Sequence, residues 1–268
     1  MKTVVAAVVA AGLFSPCALA ANNVFDPPLD SQKHALPAAK DKPKATLTCS
    51  YYPRFMVKQI DEGEVGAAQL SIVPSDALDK APCQRANMAT EKVIDARDWS
   101  GYFEGAKGDY VFFNAEDGVN GGLGFAVFTT DGKKVLDDVA HGGLAGATLD
   151  GATLTLRYER NFAGDCSMPH AGDACWTKIV AATGLDPNAK PDCATSYTKA
   201  KNELAKSRCE GDKRPIAACM PAALKEIEKQ HWDEANSVVV YDVETVLAPG
   251  QAAAIKAAGG PSDCHPSD

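Results

Sequence analysis

Trp99, Tyr102 and Phe103 sit beside Gly101 and Gly105, and aromatic rings with polar tips are what sugar and peptide grooves use. On a strand, Trp99 and Phe103 share one face while Tyr102 takes the other, so core packing is expected to claim at least one of those faces. Glu116, Asp117 and Asn120, followed by Gly121 and Gly122, place oxygen ligands on a tight loop between two apolar runs. Calcium is the cation such oxygens suit. The order departs from an EF-hand and lacks its terminal Glu, and Asp, Asn and Gly are also ordinary turn formers. These six residues are the candidate ligand-binding positions; no catalytic residue, metal ligand or cofactor is assigned.

The remaining chemistry-bearing residues form no recognisable constellation. His141-Gly142-Gly143 resembles an oxyanion-hole segment of some esterases, but no serine lies in a G-x-S-x-G elbow, so it reads as a Gly-rich loop. H-E-x-x-H, P-loop and dinucleotide fingerprints are absent. His170 lies near Asp165 and Asp173 in the segment between Cys166 and Cys175, and reads as a solvent-exposed loop imidazole. His34, His231 and His265 have no metal-ligand spacing. Paired carboxylates for glycoside hydrolysis depend on a three-dimensional separation.

Strands are expected to position these groups. Leu154, Leu156 and Tyr158 alternate with Thr155, Arg157 and Glu159, the period of a strand with one dry face. Val239, Tyr241 and Val243 repeat the pattern. Tyr110–Phe113 and Leu123–Phe128 are apolar at almost every position, which predicts strands covered on both faces. Asp131-Gly132 and Asp150-Gly151 fall between strand-like runs and supply hairpin-turn chemistry. Further strands are expected over 46–51, 55–60, 69–73 and 99–104. The fold class read from this is mainly β, an antiparallel sandwich or barrel, with a small disulfide-linked helical part near the C-terminus. Helices are expected within roughly 176–233: Trp176–Ala182 closed by Gly184, Ser196–Lys206, and Pro221–Asp233 with Pro221 at a first helical position.

Compartment follows from the N-terminus and the cysteines. Lys2, an 11-residue apolar stretch from Val4 to Phe14, and Ala18-Leu19-Ala20 before Ala21 have the order of a secretory signal peptide. The stretch is shorter than the roughly 20 residues that span a bilayer, and no later segment is apolar for long enough. Residues 1–20 are read as that signal, 21–44 as a flexible leader broken by Pro27, Pro28, Pro37 and Pro43, and 45–268 as one β-rich domain. Cleavage removes Cys17, turning nine cysteines into eight, an even number that in an exported chain reads as disulfides. The short intervals favour Cys166 with Cys175 and Cys209 with Cys219, leaving Cys193 with Cys264 and Cys49 with Cys83. Cleavage also removes Lys2, taking the net charge from −8 to −9, which disfavours nucleic acid and acidic membranes as partners.

The functional expectation is an exported, periplasmic or secreted envelope protein, non-enzymatic, that binds a protein or a glycan through a rigid β core. An inhibitor of a foreign hydrolase, using a protruding Cys166–Cys175 loop, is one version of it. The alternative is a carboxylate-based hydrolase acting on cell-wall or polysaccharide substrates. A purely structural envelope role would instead predict self-association.

Overall fold

The computed structural model describes residues 24–37 and 44–267; the expected signal peptide lies outside them. Thirteen strands in the described residues form two antiparallel sheets. The first runs in chain order through β1 (Asp30–Ala35), β2 (Thr46–Tyr51), β3 (Phe55–Asp61), β4 (Gln69–Pro74) and the short β5 (Lys92–Val93). The second continues through β6 (Gly101–Lys107), β7 (Tyr110–Val119), β8 (Gly122–Thr129), β9 (Lys134–Asp150) and β10 (Thr153–Ala163). Helices α1 (Met168–Thr183), α2 (Cys193–Glu210) and α3 (Ile216–Glu228) then intervene before β11 (Ser237–Leu247), which pairs directly with β10. β12 (Ala254–Ala257) and β13 (Asp263–Pro266) both pair with β11. The helical part is therefore an insertion between two neighbouring strands, and β13 lies back in the sheet beside β11.

Period-2 patterning explains the layers. Leu154, Leu156 and Tyr158 of β10 are buried, while Arg157 and Glu159 face water. In β7 and β8 successive residues alternate between two cores. Val111, Phe113, Ala126 and Phe128 pack with Tyr52, Phe55, Val57 and Ile72 of the first sheet. Phe112, Phe125 and Val127 point the other way, into a core shared with Met168, Trp176, Ile179 and Tyr197 of the helices. The doubly apolar runs are thus the central strands, covered on both sides. The outer face of the first sheet is closed by Ala81, Cys83 and Met88 of the β4–β5 connection.

The disulfides are Cys49–Cys83, Cys166–Cys175, Cys193–Cys264 and Cys209–Cys219, the pairing expected from their intervals. Cys49–Cys83 clamps the covering segment onto β2, Cys193–Cys264 joins α2 to β13, and Cys209–Cys219 ties α2 to α3.

Four expectations are corrected. The leader is not unstructured throughout: Asp30–Ala35 forms an edge strand on β2, and Phe25 packs on the Phe112 ring at 5.1 Å. An edge strand held by backbone pairing needs no apolar alternation, so its sequence gives little sign of it. The Cys166–Cys175 segment is helical instead of an open loop. Ser167 caps α1, which starts at Met168 and kinks at Gly172 (φ 55, ψ −125); that glycine masked the helical pattern upstream of Trp176. α3 begins at Ile216 behind Pro215, and Pro221 lies inside it rather than at its start. Finally, Glu116 and Asp117 belong to β7, and the tight loop is only Asn120-Gly121, both at positive φ (51° and 72°) as a type I′ hairpin turn requires.

Candidate functional site

Three irregularities in the second sheet converge on one cleft. Between β6 and β7 the register passes from Phe103–Phe113 to Gly105–Phe112, so Glu104 is an extra, bulged residue. Between β7 and β8 it jumps from Asn114–Phe125 to Gly118–Leu123. Between β9 and β10, Tyr158 faces Leu144 and Glu159 faces His141, leaving Gly142 and Gly143 unpaired at φ 74° and 89°. Bulges bend a strand and re-aim its side chains, and they concentrate at binding sites. Here they open a cleft of about 400 Å³, lined by Glu104, Asn114, Leu123, Phe125, Ala140 and Leu144 and by the backbones of Gly121, Gly122, Gly142 and Gly143.

Among the described residues, Glu104 is the only ionisable group in that lining. It reaches solvent at the mouth, yet the surrounding protein desolvates its carboxyl and raises its pKa, with a hydrogen bond from Asn114 offsetting part of the rise. The glycines are there for space and conformation. A Cβ on Gly122 would lie 2.6 Å from Val139 Cγ1 and 2.7 Å from Asn161 Nδ2, whereas Gly142 and Gly143 border open space. Asn161, itself buried, donates from Nδ2 to the Asn120 carbonyl at 2.6 Å and so anchors the hairpin turn at the cleft's edge.

The floor is stiffened by a buried polar network. The Phe125 ring meets Tyr158 edge-on at 5.1 Å. The Tyr158 hydroxyl donates to Asp138 Oδ2 at 2.6 Å and lies 3.1 Å from Thr245 Oγ1. Arg160 Nε reaches Asp138 Oδ2 at 2.9 Å, and its guanidinium donates to the Tyr241 hydroxyl. Burial, then the Asp138 charge, pushes the Tyr158 phenol above its ordinary range. Fully satisfied networks of this kind fix side-chain positions.

The six positions singled out from sequence scatter around this cleft. Trp99 packs on the inter-sheet core and donates from Nε1 to the Asn114 carbonyl at 3.4 Å. Phe103 lies between Tyr52 and Phe113, with centroids 6.4 and 6.1 Å away. The Tyr102 hydroxyl accepts from Gly66 N at 2.9 Å and donates to the Glu64 carbonyl. Glu116 accepts from Ser100 Oγ at 2.6 Å, and its carboxylate lies against Gly66. Tyr102 and Glu116 are therefore gathered around the β3–β4 turn at Gly66, while Trp99 and Phe103 serve the inter-sheet core. Asp117 accepts from the neighbouring Gly118 N–H, and Asn120 shapes the hairpin turn. His141 is exposed on β9 and His170 on α1.

Glu104 and Asn114 escaped the sequence reading because a bulge breaks the alternation that would have flagged them. The flanking Gly101 and Gly105, noted beside the aromatic cluster, were the available signal. No protein-family model, curated protein or solved structure matches this chain.

Proposed function

We propose that this chain is an exported binding module of the cell envelope or its surroundings, recognising a protein or glycan at the Glu104 cleft without transforming it. The observation that carries the reading is the cleft's composition: one carboxyl, one amide, exposed backbone and apolar walls, on a floor locked by the Asp138–Arg160 network. Ligand sites are commonly apolar pockets with a few placed polar groups on a rigid scaffold. Glycoside hydrolysis by the usual route needs a second carboxyl roughly 5 to 9.5 Å from the first, and among the described residues the lining supplies Glu104 alone. Four disulfides suit an oxidising compartment, and both the periplasm and the external medium meet that condition.

Retention of the oxidised protein on immobilised peptidoglycan fragments and on envelope proteins, compared with Glu104→Gln and Leu144→Trp, tests the proposal. Loss of a charge-assisted hydrogen bond in Glu104→Gln is expected to weaken binding by about tenfold or more, and Leu144→Trp to abolish it by filling the cleft. Equal retention of all three proteins would show that binding does not take place at the cleft.

A further inference from the structure

A second surface, on the helices, shows a pattern that water does not explain. The first nine residues of α3, Ile216–Leu224, carry no polar side chain. Cys219 turns inward with Ile227, while Ile216 is 42 % exposed and Ala217, Ala218, Pro221 and Ala222 also face solvent. A helix that is apolar all round is normally buried. Beside this face runs a groove of about 710 Å³, where Thr198, Lys199, Asn202 and Lys206 of α2 oppose Ile216 and Met220 of α3. The Cys209–Cys219 disulfide fixes the two helices against each other.

The charge around the groove is opposite to that of the molecule. Lys199 to Lys229 holds eight Lys and Arg against five Asp and Glu, in a chain of net charge −8. Three of those acids are already engaged: Glu228 by Lys201, Glu226 by Lys229 and Asp212 by Arg214. Lys199 and Lys206, on the groove itself, enter no ion pair among the described residues, and Glu203 is the single acid of its lining. An apolar centre with a polar, charged rim is the anatomy of a protein-docking patch.

We propose that the α2–α3 face docks an acidic segment of a partner protein, which seats an apolar side chain in the groove between Ile216 and Met220 while its carboxylates meet Lys199 and Lys206. The surface is separate from the Glu104 cleft and does not depend on it. A lipid bilayer is the poorer fit, because interfacial helices bury bulky Trp, Phe or Leu, whereas this face is chiefly alanine and proline beside a concavity.

The test is selection of a random peptide display library against the mature, oxidised protein, followed by anisotropy titration of the enriched peptides. The expected peptides carry Asp or Glu around one large apolar residue and bind more weakly as salt is raised. Ile216→Asp and the pair Lys199→Glu with Lys206→Glu should each weaken them by about tenfold. Ile216→Asp places an acid in the first turn of α3, where the helix dipole favours it. Met220→Glu, at the other groove-lining position of α3, serves as a second probe of the same face, and circular dichroism checks that each variant folds. Absence of enrichment, peptides without acidic residues, or affinities indifferent to all three variants would overturn the proposal. So would self-association or binding to anionic vesicles that Ile216→Asp abolishes, since either would assign the face a different occupant.

Discussion

At the scale of single residues, the most consequential interaction outside the cleft is the buried pair Lys58–Glu91. Both side chains are fully buried, and Lys58 Nζ lies 2.6 Å from Glu91 Oε1. Gln69 Nε2 donates to the same carboxylate, and the Met88 N–H donates to its other oxygen. Breaking a buried pair leaves an uncompensated charge, so Glu91→Gln should cost about 3–5 kcal/mol in urea unfolding. Joint replacement by Lys58→Met and Glu91→Leu should cost clearly less, because no charge is stranded. Burial alone would raise the Glu91 carboxyl, but the Lys58 bond and the Met88 N–H outweigh it and hold the pKa below its ordinary value. A carboxyl depressed on folding contributes stability that is complete above its unfolded pKa and is lost as pH falls through the folded one. Stability of the wild type should therefore drop as pH is lowered below the ordinary glutamate range, and Glu91→Gln should flatten that part of the profile. At the cleft, Gly122→Ala should destabilise by about 1–3 kcal/mol, since its Cβ would press on Val139 and Asn161 at under 3 Å. None of these partners could be paired from sequence, because Lys58 and Glu91 meet only when the β4–β5 connection folds back over β3.

At the scale of elements, what could be read in advance depended on whether an element pays its way through side-chain pattern or through backbone geometry. The alternation of β10 and the continuous apolar runs of β7 and β8 announced themselves, because side-chain burial fixes their register. The Asp150-Gly151 turn did likewise, with Gly151 at φ 57° between the paired Asp150 and Thr153. The edge strand β1, the Glu104 bulge and the kinked start of α1 rest on backbone pairing or a positive-φ glycine, and periodicity is silent about them. The cysteine intervals were informative because short loops close cheaply in the chain. The same logic orders the disulfides by strength. Cys193–Cys264 closes a separation of 71 residues and Cys209–Cys219 one of 10, corresponding to roughly 4.4 and 2.7 kcal/mol on the chain-entropy relation. Alanine replacement of the first pair should lower the urea midpoint more than replacement of the second. The reverse order would mean that the α2–α3 clamp carries more than loop closure.

At the scale of the whole molecule, the eight-stranded sheet is a shared wall: one face packs on the first sheet, the other on the helical insertion. The cleft opens where three register breaks meet in that wall, so its shape is set by strands already fixed from both sides. Such a scaffold is suited to presenting a preformed site, and binding there is expected to move little of the backbone. The direct test is a heteronuclear NMR titration of the oxidised protein with soluble peptidoglycan fragments and candidate envelope proteins, with the ligand's own signals followed over time. Saturable shifts are expected at Glu104, Asn114, Gly121–Leu123 and Gly142–Leu144, with a ligand that stays chemically unchanged. Shifts confined to other surfaces, or conversion of the ligand to product, would contradict the proposed function.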